Sequence, residues 1–234
     1  ERSYIKYDSK NSNWRFADIL QLAHVKPKDV KQDILFKTIL NDRYEGSADF
    51  PYEALPVLGQ YRAFTKMDKD LARKDLIKRP EALKNAGMTW ESFSSFGPMD
   101  KDAWEAVIPS MGYMALLRNL RNFDQAGVSD KVADYVVNKL QDPEEVARSR
   151  QLPFRFYSAY KNVPSLRWSN ALERALDYSL SSIPSFKGRT LVLVDTSGSM
   201  STNGWSSKST STPVETAALF GAALAKSGQD VDLM

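Results

Sequence analysis

The sequence predicts a mainly α-helical protein that ends in the beginning of an α/β domain. From residue 13 to residue 182, apolar side chains recur at three- and four-residue spacing, which is typical of amphipathic helices. No alternating strand pattern competes in that region. After residue 182 the pattern changes to strand, helix and strand, which is the opening of a doubly wound α/β domain. We therefore predict a helical domain at 1–183 and the start of an α/β domain at 184–234.

Helix-capping and helix-breaking residues divide the helical region into consecutive helices with short connections. Pro27 ends the first helix, Asp29 caps the second, and Gly46 marks a loop at 41–51. Residues 1–12 are polar, and we expect them to be loose. Stacked helical pairs of this kind form solenoids or rings, although no fixed sequence period is visible. The predicted helices are 14–23, 29–39, 54–67, 71–78, 80–85, 102–108, 111–123, 129–140, 143–148, 153–160 and 168–182, with a capped turn at 89–93.

A strand at 190–194 carries candidate metal ligands at its carboxyl end. Its apolar run predicts a fully buried strand, and Asp195, Ser197 and Ser199 follow it, with Gly198 where a tight turn often needs a residue without Cβ. Oxygen ligands suit Mg²⁺ or another hard divalent cation. Ligand sites in open α/β sheets lie at the carboxyl ends of strands. The alternative is a Ser/Gly turn that closes a core strand.

The remaining C-terminal elements follow from composition. A linker at 184–188 precedes the strand, a Ser/Thr-rich loop at 201–212 follows it, and a helix at 213–226 leads to a second strand at 230–234. Because two strands cannot form a buried sheet, we expect the chain to be a segment of a longer protein.

The composition limits the classes of function. The 234 residues are 42% hydrophobic and include no cysteine, which excludes disulfides, thiolate nucleophiles and cysteine zinc sites. No apolar run approaches the about 20 residues that cross a membrane, and the first residues lack a signal-peptide apolar region. We expect a cytoplasmic protein without membrane contact. The net charge of +3 does not by itself indicate nucleic-acid binding.

Positive charge is concentrated at 66–84, where seven basic residues stand against four acids. Such a segment is either a solvated helical face or a surface for phosphate. The basic residues are Lys66, Lys69, Arg73, Lys74, Lys78, Arg79 and Lys84.

Several helical motifs resemble one family. Residues 16–27 end in a Leu-x-His-x-Lys-Pro element, Trp104 precedes Ala-Leu-Leu-Arg-Asn-Leu at 115–120, and Leu-Pro-Phe at 152–154 precedes Trp168. In this order, followed by Asp-x-Ser-x-Ser, these elements resemble the Ro-type TROVE-domain proteins, and the last element resembles the metal-ion-dependent adhesion site of a von Willebrand factor A domain. The resemblance covers about 13–225.

The resemblance implies a ring of HEAT-like helical repeats closed by an A domain. It implies binding of small noncoding Y RNAs on the outer surface and of single-stranded or aberrant RNA ends in the hole, in RNA quality control or as an adaptor to a ribonuclease. Implied RNA contacts are His24, Lys26, Lys28 and Arg15. The resemblance also implies that Asp195, Ser197 and Ser199 are metal ligands, together with a threonine and a second aspartate beyond residue 234. It further implies that a ribonuclease or another protein binds through the A domain.

Other interpretations stay open for several of these residues. A lone histidine such as His24 usually has no special task. For Arg118 and Asn119 we favour hydrogen bonds between helices, and for Trp14, Trp104 and Trp168 we favour core packing over stacking on bases. An enzyme is not expected, because no base–nucleophile pair and no G-x-S-x-G elbow are present.

Two other functions remain as alternatives to RNA binding. The first is a metal-dependent, protein-binding A-domain scaffold without RNA function. The second is a metal-dependent hydrolase or an ATPase-associated subunit, against which the absence of a phosphate loop speaks.

Overall fold

The computed structural model is mainly helical, as the apolar spacing predicts. It describes residues 1–9, 11–46, 50–181, 183, 186–202, 211–228 and 230–234. Between residues 13 and 181, the described part of the chain contains helices and turns but no strand. None of the helices in the described ranges is long and apolar enough to cross a bilayer. The chain divides into two compact units, Glu1–Met111 and Gly112–Met234.

Capping side chains and prolines fix the helix starts of the first unit. Asp29, Asp68 and Asp100 each accept a backbone N–H in the first turn of the helix that follows. Pro56 and Pro80 occupy first helical positions, where a missing N–H costs nothing. The helices are α1 (Arg2–Tyr7), α2 (Phe16–Ala23), α3 (Val30–Tyr44), α4 (Pro56–Lys66), α5 (Lys69–Lys78), α6 (Pro80–Asn85), α7 (Trp90–Phe93) and α8 (Lys101–Val107).

The expectation of a loose N-terminus at 1–12 is wrong for α1. The Glu1 carboxylate accepts the backbone N–H of Leu58 at 2.8 Å, and the Tyr4 hydroxyl donates to Asp42 at 3.2 Å. These contacts hold a short polar helix that is too short to be stable alone. Helix α3 also continues into the predicted loop at 41–51, of which residues 47–49 lie outside the described residues.

The second unit packs helices around a core of large apolar side chains. Those less than 2% exposed include Leu116, Leu120, Phe123, Val136, Leu140, Phe156, Trp168 and Leu172. Gly127 ends the first helix with φ of 66°, which a residue without Cβ adopts easily. The elements are α9 (Tyr113–Ala126), α10 (Asp130–Leu140), α11 (Pro143–Ser149), α12 (Pro153–Asn162), α13 (Ser169–Leu180), β1 (Arg189–Val192), α14 (Gly198–Ser201), α15 (Pro213–Ser227) and β2 (Asp230–Leu233).

The three tryptophans for which core packing is predicted divide between core and surface. Trp104 is 3% exposed and Trp168 is fully buried, as core packing predicts. The Trp168 indole donates to the Asp124 carboxylate at 2.9 Å, which satisfies its N–H inside the core. For Trp14 core packing is the wrong prediction, because the side chain is 62% exposed. Trp14 precedes the first residue of α2 and so has no place on its apolar face.

The C-terminal elements form a β–α–β unit with parallel strands. Strand β1 pairs with β2 from Arg189↔Asp230 to Val192↔Leu233. Helix α15 covers one face, where the Val194 side chain closely approaches Gly221. Residues 184, 185 and 203–210, which belong to the predicted linker and loop, lie outside the described residues.

The prediction of a fully buried β1 is wrong. Leu191 is 55% exposed and Leu193 is 72% exposed. These side chains alternate with Val192 and Val194, which face α15, so they point to the opposite face. Among the described residues no element covers that face.

Candidate functional site

The candidate metal ligands are exposed and lie where the chain passes from β1 into α14: Asp195 and Ser197 precede the helix, and Ser199 is in its first turn. The Ser197 backbone N–H donates to the Asp195 carboxylate at 2.8 Å, and the hydroxyl oxygens of Ser197 and Ser199 lie 3.1 Å apart. Gly198 has no positive φ, and a Cβ there would meet nothing within 4 Å. The expected conformational need for glycine at this position is therefore wrong.

The donor set fits a hard divalent cation. Mg²⁺–oxygen distances of about 2.0–2.1 Å place neighbouring octahedral ligands about 2.9 Å apart, close to the separation of the two hydroxyls. Hydrogen bonds from the Ser197 backbone and then from its hydroxyl lower the pKa of Asp195, which is therefore ionised at neutral pH. Within the described ranges no three His, Asp or Glu side chains group closely enough to hold a metal. These three oxygens therefore offer part of a coordination shell.

The connection between α2 and α3 presents three of the predicted RNA contacts to solvent. His24 ends α2 in the left-handed region, with φ of 47°. His24, Lys26 and Lys28 are exposed, and neither lysine forms an ion pair with a described residue. The Asp29 cap and the bond from the Lys28 backbone N–H to Gln32 at 2.6 Å order the start of α3. The structure therefore brings these three groups together on one short, solvated segment.

Arg15 has a different environment from the other three. It precedes α2, forms an ion pair with Asp8, and its side chain is only 17% exposed. Asp8 also accepts the Phe16 backbone N–H at 2.7 Å. The hydrogen bond to Asp8 raises the pKa of Arg15, and the contacts of Asp8 with Arg15 and Phe16 hold the start of α2. An RNA contact for Arg15 stays a prediction, since much of its charge is already compensated.

The basic segment at 66–84 separates into paired arginines and unpaired lysines. Arg73 bonds to Asp100 at 2.7 Å, and Arg79 pairs with Asp75 on the same helix. The lysines are exposed and form no ion pair within the described residues; they are Lys66, Lys69, Lys74, Lys78 and Lys84. The free positive charge of this segment is therefore carried by lysine.

Among the described residues, Arg118 and Asn119 form none of the predicted hydrogen bonds between helices. The Asn119 side chain, 2% exposed, donates to Ala115 within α9 at 2.8 Å and accepts from Asn122 at 2.7 Å. Arg118 is exposed, and it lines a cavity of about 290 Å³ together with Arg121 and other residues of α9 and α12. This cavity is not predicted from the sequence. The three-residue spacing of the two arginines does predict that they lie on one helix face.

Comparisons with known proteins point to one family. Residues 79–173 match the family model of the TROVE domain. The telomerase protein component 1 of Mus musculus is 35% identical over 92 residues, which are 38% of this chain and 3% of that protein. The RNA-binding protein RO60 of Deinococcus radiodurans is 26% identical over 213 residues, which are 84% of this chain and 38% of that protein.

A solved structure agrees with these matches. The crystal structure of the Deinococcus radiodurans RO (RSR) protein matches with a TM-score of 0.73 and 22% identity, over 99% of this chain and 48% of that one. This likeness shows a shared fold. The chain spans less than half the length of each of these relatives. The resemblance to the TROVE-domain proteins that the sequence motifs predict is therefore confirmed.

Proposed function

We propose that this chain is an RNA-binding segment of the Ro type that contacts RNA phosphates through the α2–α3 connection. The observation that carries the proposal is the exposed group of His24, Lys26 and Lys28, whose lysines have no ion-pair partner among the described residues. A relative that aligns with 84% of the chain is described as RNA-binding. The expected RNAs are small noncoding Y-type RNAs and single-stranded ends.

The physical basis is phosphate neutralisation. An unpaired, solvated lysine releases a condensed counterion when it meets a phosphate, whereas a lysine already paired with a carboxylate gains less. Lys26 and Lys28 belong to the first class, and Lys37, which contacts Asp33 at 2.7 Å, belongs to the second. His24 adds a hydrogen-bonding or stacking group held by the backbone at the end of α2.

In this proposal the RNA-bound segment serves noncoding RNA quality control or links RNA to a ribonuclease. We propose no catalytic step for the chain. The lysines of the 66–84 segment extend the basic surface of the first unit and add affinity without sequence preference.

A second candidate function rests on the Ser197–Ser199 hydroxyl pair. We propose that Asp195, Ser197 and Ser199 contribute ligands to a divalent cation of a von Willebrand factor A-type domain that captures a protein partner. The 3.1 Å separation of the two hydroxyl oxygens supports it. The bound cation would supply an electrophilic position for a partner carboxylate, and Asp195 would supply compensating negative charge.

A filter-binding titration with a structured small RNA tests the main proposal. We expect binding that weakens steeply with salt and that weakens further in a Lys26→Ala, Lys28→Ala variant. Parent-like affinity of a His24→Ala, Lys26→Ala variant at low and moderate salt would mean that the α2–α3 connection is not the RNA contact.

A further inference from the structure

Two helix faces with the same residue spacing enclose the cavity of about 290 Å³ in the second unit. Helix α9 contributes side chains at positions 114, 117, 118 and 121, and α12 contributes side chains at 155, 158, 159 and 162. Each set follows the i, i+3, i+4, i+7 pattern of one helix face. The rings of Tyr113 and Phe156, 6.2 Å apart and edge to face, pack these two helices against each other. The cavity is therefore built on rigid elements.

Three arginines that line this cavity have no carboxylate partner among the described residues. Arg118, Arg121 and Arg155 are exposed, and none forms an ion pair or a side-chain hydrogen bond with a described residue. The guanidinium carbon of Arg155 lies 4.9 Å from the Phe154 ring centroid, which is a cation–π distance. No Asp or Glu is among the described residues that line the cavity. Three arginines therefore border the cavity without a compensating carboxylate among the described lining residues.

Two other arginines of this unit do have a carboxylate partner. Arg167 pairs with Asp130 at 2.8 Å, and Arg148 pairs with Glu145 at 2.8 Å. The guanidinium fork matches phosphate oxygens in the same bidentate way in which it matches carboxylates. The cavity is therefore suited to a phosphate group.

The rest of the lining indicates a ligand larger than phosphate. Leu117 and Leu120 form an apolar wall on α9, and Ala159 of α12 and Val163, which follows α12, form another. Ser158 adds a hydroxyl to the lining. The volume lies at the lower end of small-molecule sites, which combine apolar walls with a few polar groups. The flat base of a nucleotide can pack on these walls and on a guanidinium plane while the phosphate of the same nucleotide contacts the arginines.

We propose that the α9–α12 cavity binds a phosphorylated nucleoside, with the phosphate on Arg118, Arg121 and Arg155 and the base against the apolar walls. A free nucleotide and the 5′-terminal nucleotide of an RNA share this chemistry. The site lies on other elements than the α2–α3 connection and does not depend on RNA binding there.

Equilibrium dialysis of the 234-residue chain tests the site with adenosine 5′-monophosphate, adenosine and inorganic phosphate. We expect adenosine 5′-monophosphate to bind at least about tenfold more tightly than adenosine or inorganic phosphate, since it alone can contact both the arginines and the apolar walls. Equal affinity for adenosine and its monophosphate overturns the proposal. A 5′-phosphorylated oligoadenylate against its 5′-hydroxyl form then identifies the source. Preference for the phosphorylated strand indicates an RNA end, and binding of the free nucleotide alone indicates a small-molecule ligand.

Two variants locate the binding in the cavity. Arg118→Met with Arg121→Met should weaken nucleotide binding at least about tenfold, whereas Arg174→Met, which removes an exposed and unpaired arginine of α13, should change it less than twofold. Ala159→Phe should block the cavity without changing charge. Circular dichroism and thermal unfolding confirm that each variant folds. Parent-like nucleotide affinity of the folded double-arginine and Ala159→Phe variants overturns the proposal, whatever the variants of the α2–α3 connection do to structured RNA.

Discussion

Removal of the Lys26 charge should reduce the steepness with which RNA affinity falls with salt. The slope of log affinity against log salt concentration should become shallower by about one. In the described residues of the first unit, two unpaired lysines lie in the α2–α3 connection and five at 66–84. At about 0.7–0.9 per contact, seven lysine–phosphate contacts give a log–log slope of roughly −5 to −6. Lys26→Ala should reduce the magnitude of that slope by about 0.7–0.9 and weaken all RNAs alike.

The assay is a filter-binding titration of a small structured RNA from about 50 to 200 mM salt. Lys37→Ala is the matched control, because Lys37 lies on the neighbouring helix α3 but already contacts Asp33. It should leave the slope nearly unchanged. His24→Ala should reduce affinity with little change in slope, since we expect this residue to contact RNA by stacking or hydrogen bonding rather than by neutralising a phosphate. An equal loss of slope in Lys37→Ala and Lys26→Ala would refute the distinction between free and paired lysines.

Three further results are expected from the second unit. Titration calorimetry should show that Asp195→Ala abolishes the heat of Mg²⁺ binding without changing RNA affinity, and equal heats in variant and parent would argue against the metal site. The hydrogen bond from Lys161 lowers the pKa of Glu215 to about 2, so its stabilisation is complete above about pH 4.5 and is lost as the pH falls through 2. Glu215→Gln should therefore cost roughly 0.5–1 kcal/mol in urea unfolding at pH 7 and less at pH 3, and an equal cost at both pH values would contradict this. Trp168→Phe, which removes the indole donor to Asp124, should cost about 2–4 kcal/mol by the same assay, and a cost below about 1 kcal/mol would show that the hydrogen bond is not needed.

Local signals predicted the helices well because they act over a few residues. The predicted helix at 213–226 is observed as Pro213–Ser227, and the one at 143–148 as Pro143–Ser149. In both cases a proline at the first position and a capping side chain before it set the start. These determinants are contained in the segment itself, so they can be identified from the sequence.

Features that depend on distant partners could not be predicted in the same way. Helix α1 exists because Glu1 and Tyr4 meet groups far along the chain. The exposure of Leu191 depends on which elements cover the sheet, and its apolar character alone does not reveal it. The ion pair of Arg15 with Asp8 likewise separates it from Lys26, although both are basic residues near the same helix.

The two candidate ligand surfaces should be separable by salt because their positive charges act differently. The lysines of the first unit are compact charges spread along the chain, so binding there neutralises several phosphates and should weaken steeply with salt. The arginines at 118, 121 and 155 line one cavity, where we propose that they bind one phosphate through directed hydrogen bonds. A 5′-phosphorylated oligoadenylate bound there should show a slope no steeper than about −0.7. At about 200 mM salt the structured RNA should therefore be largely released while the short strand stays bound, and equal loss of both ligands in that titration would show that they share one surface.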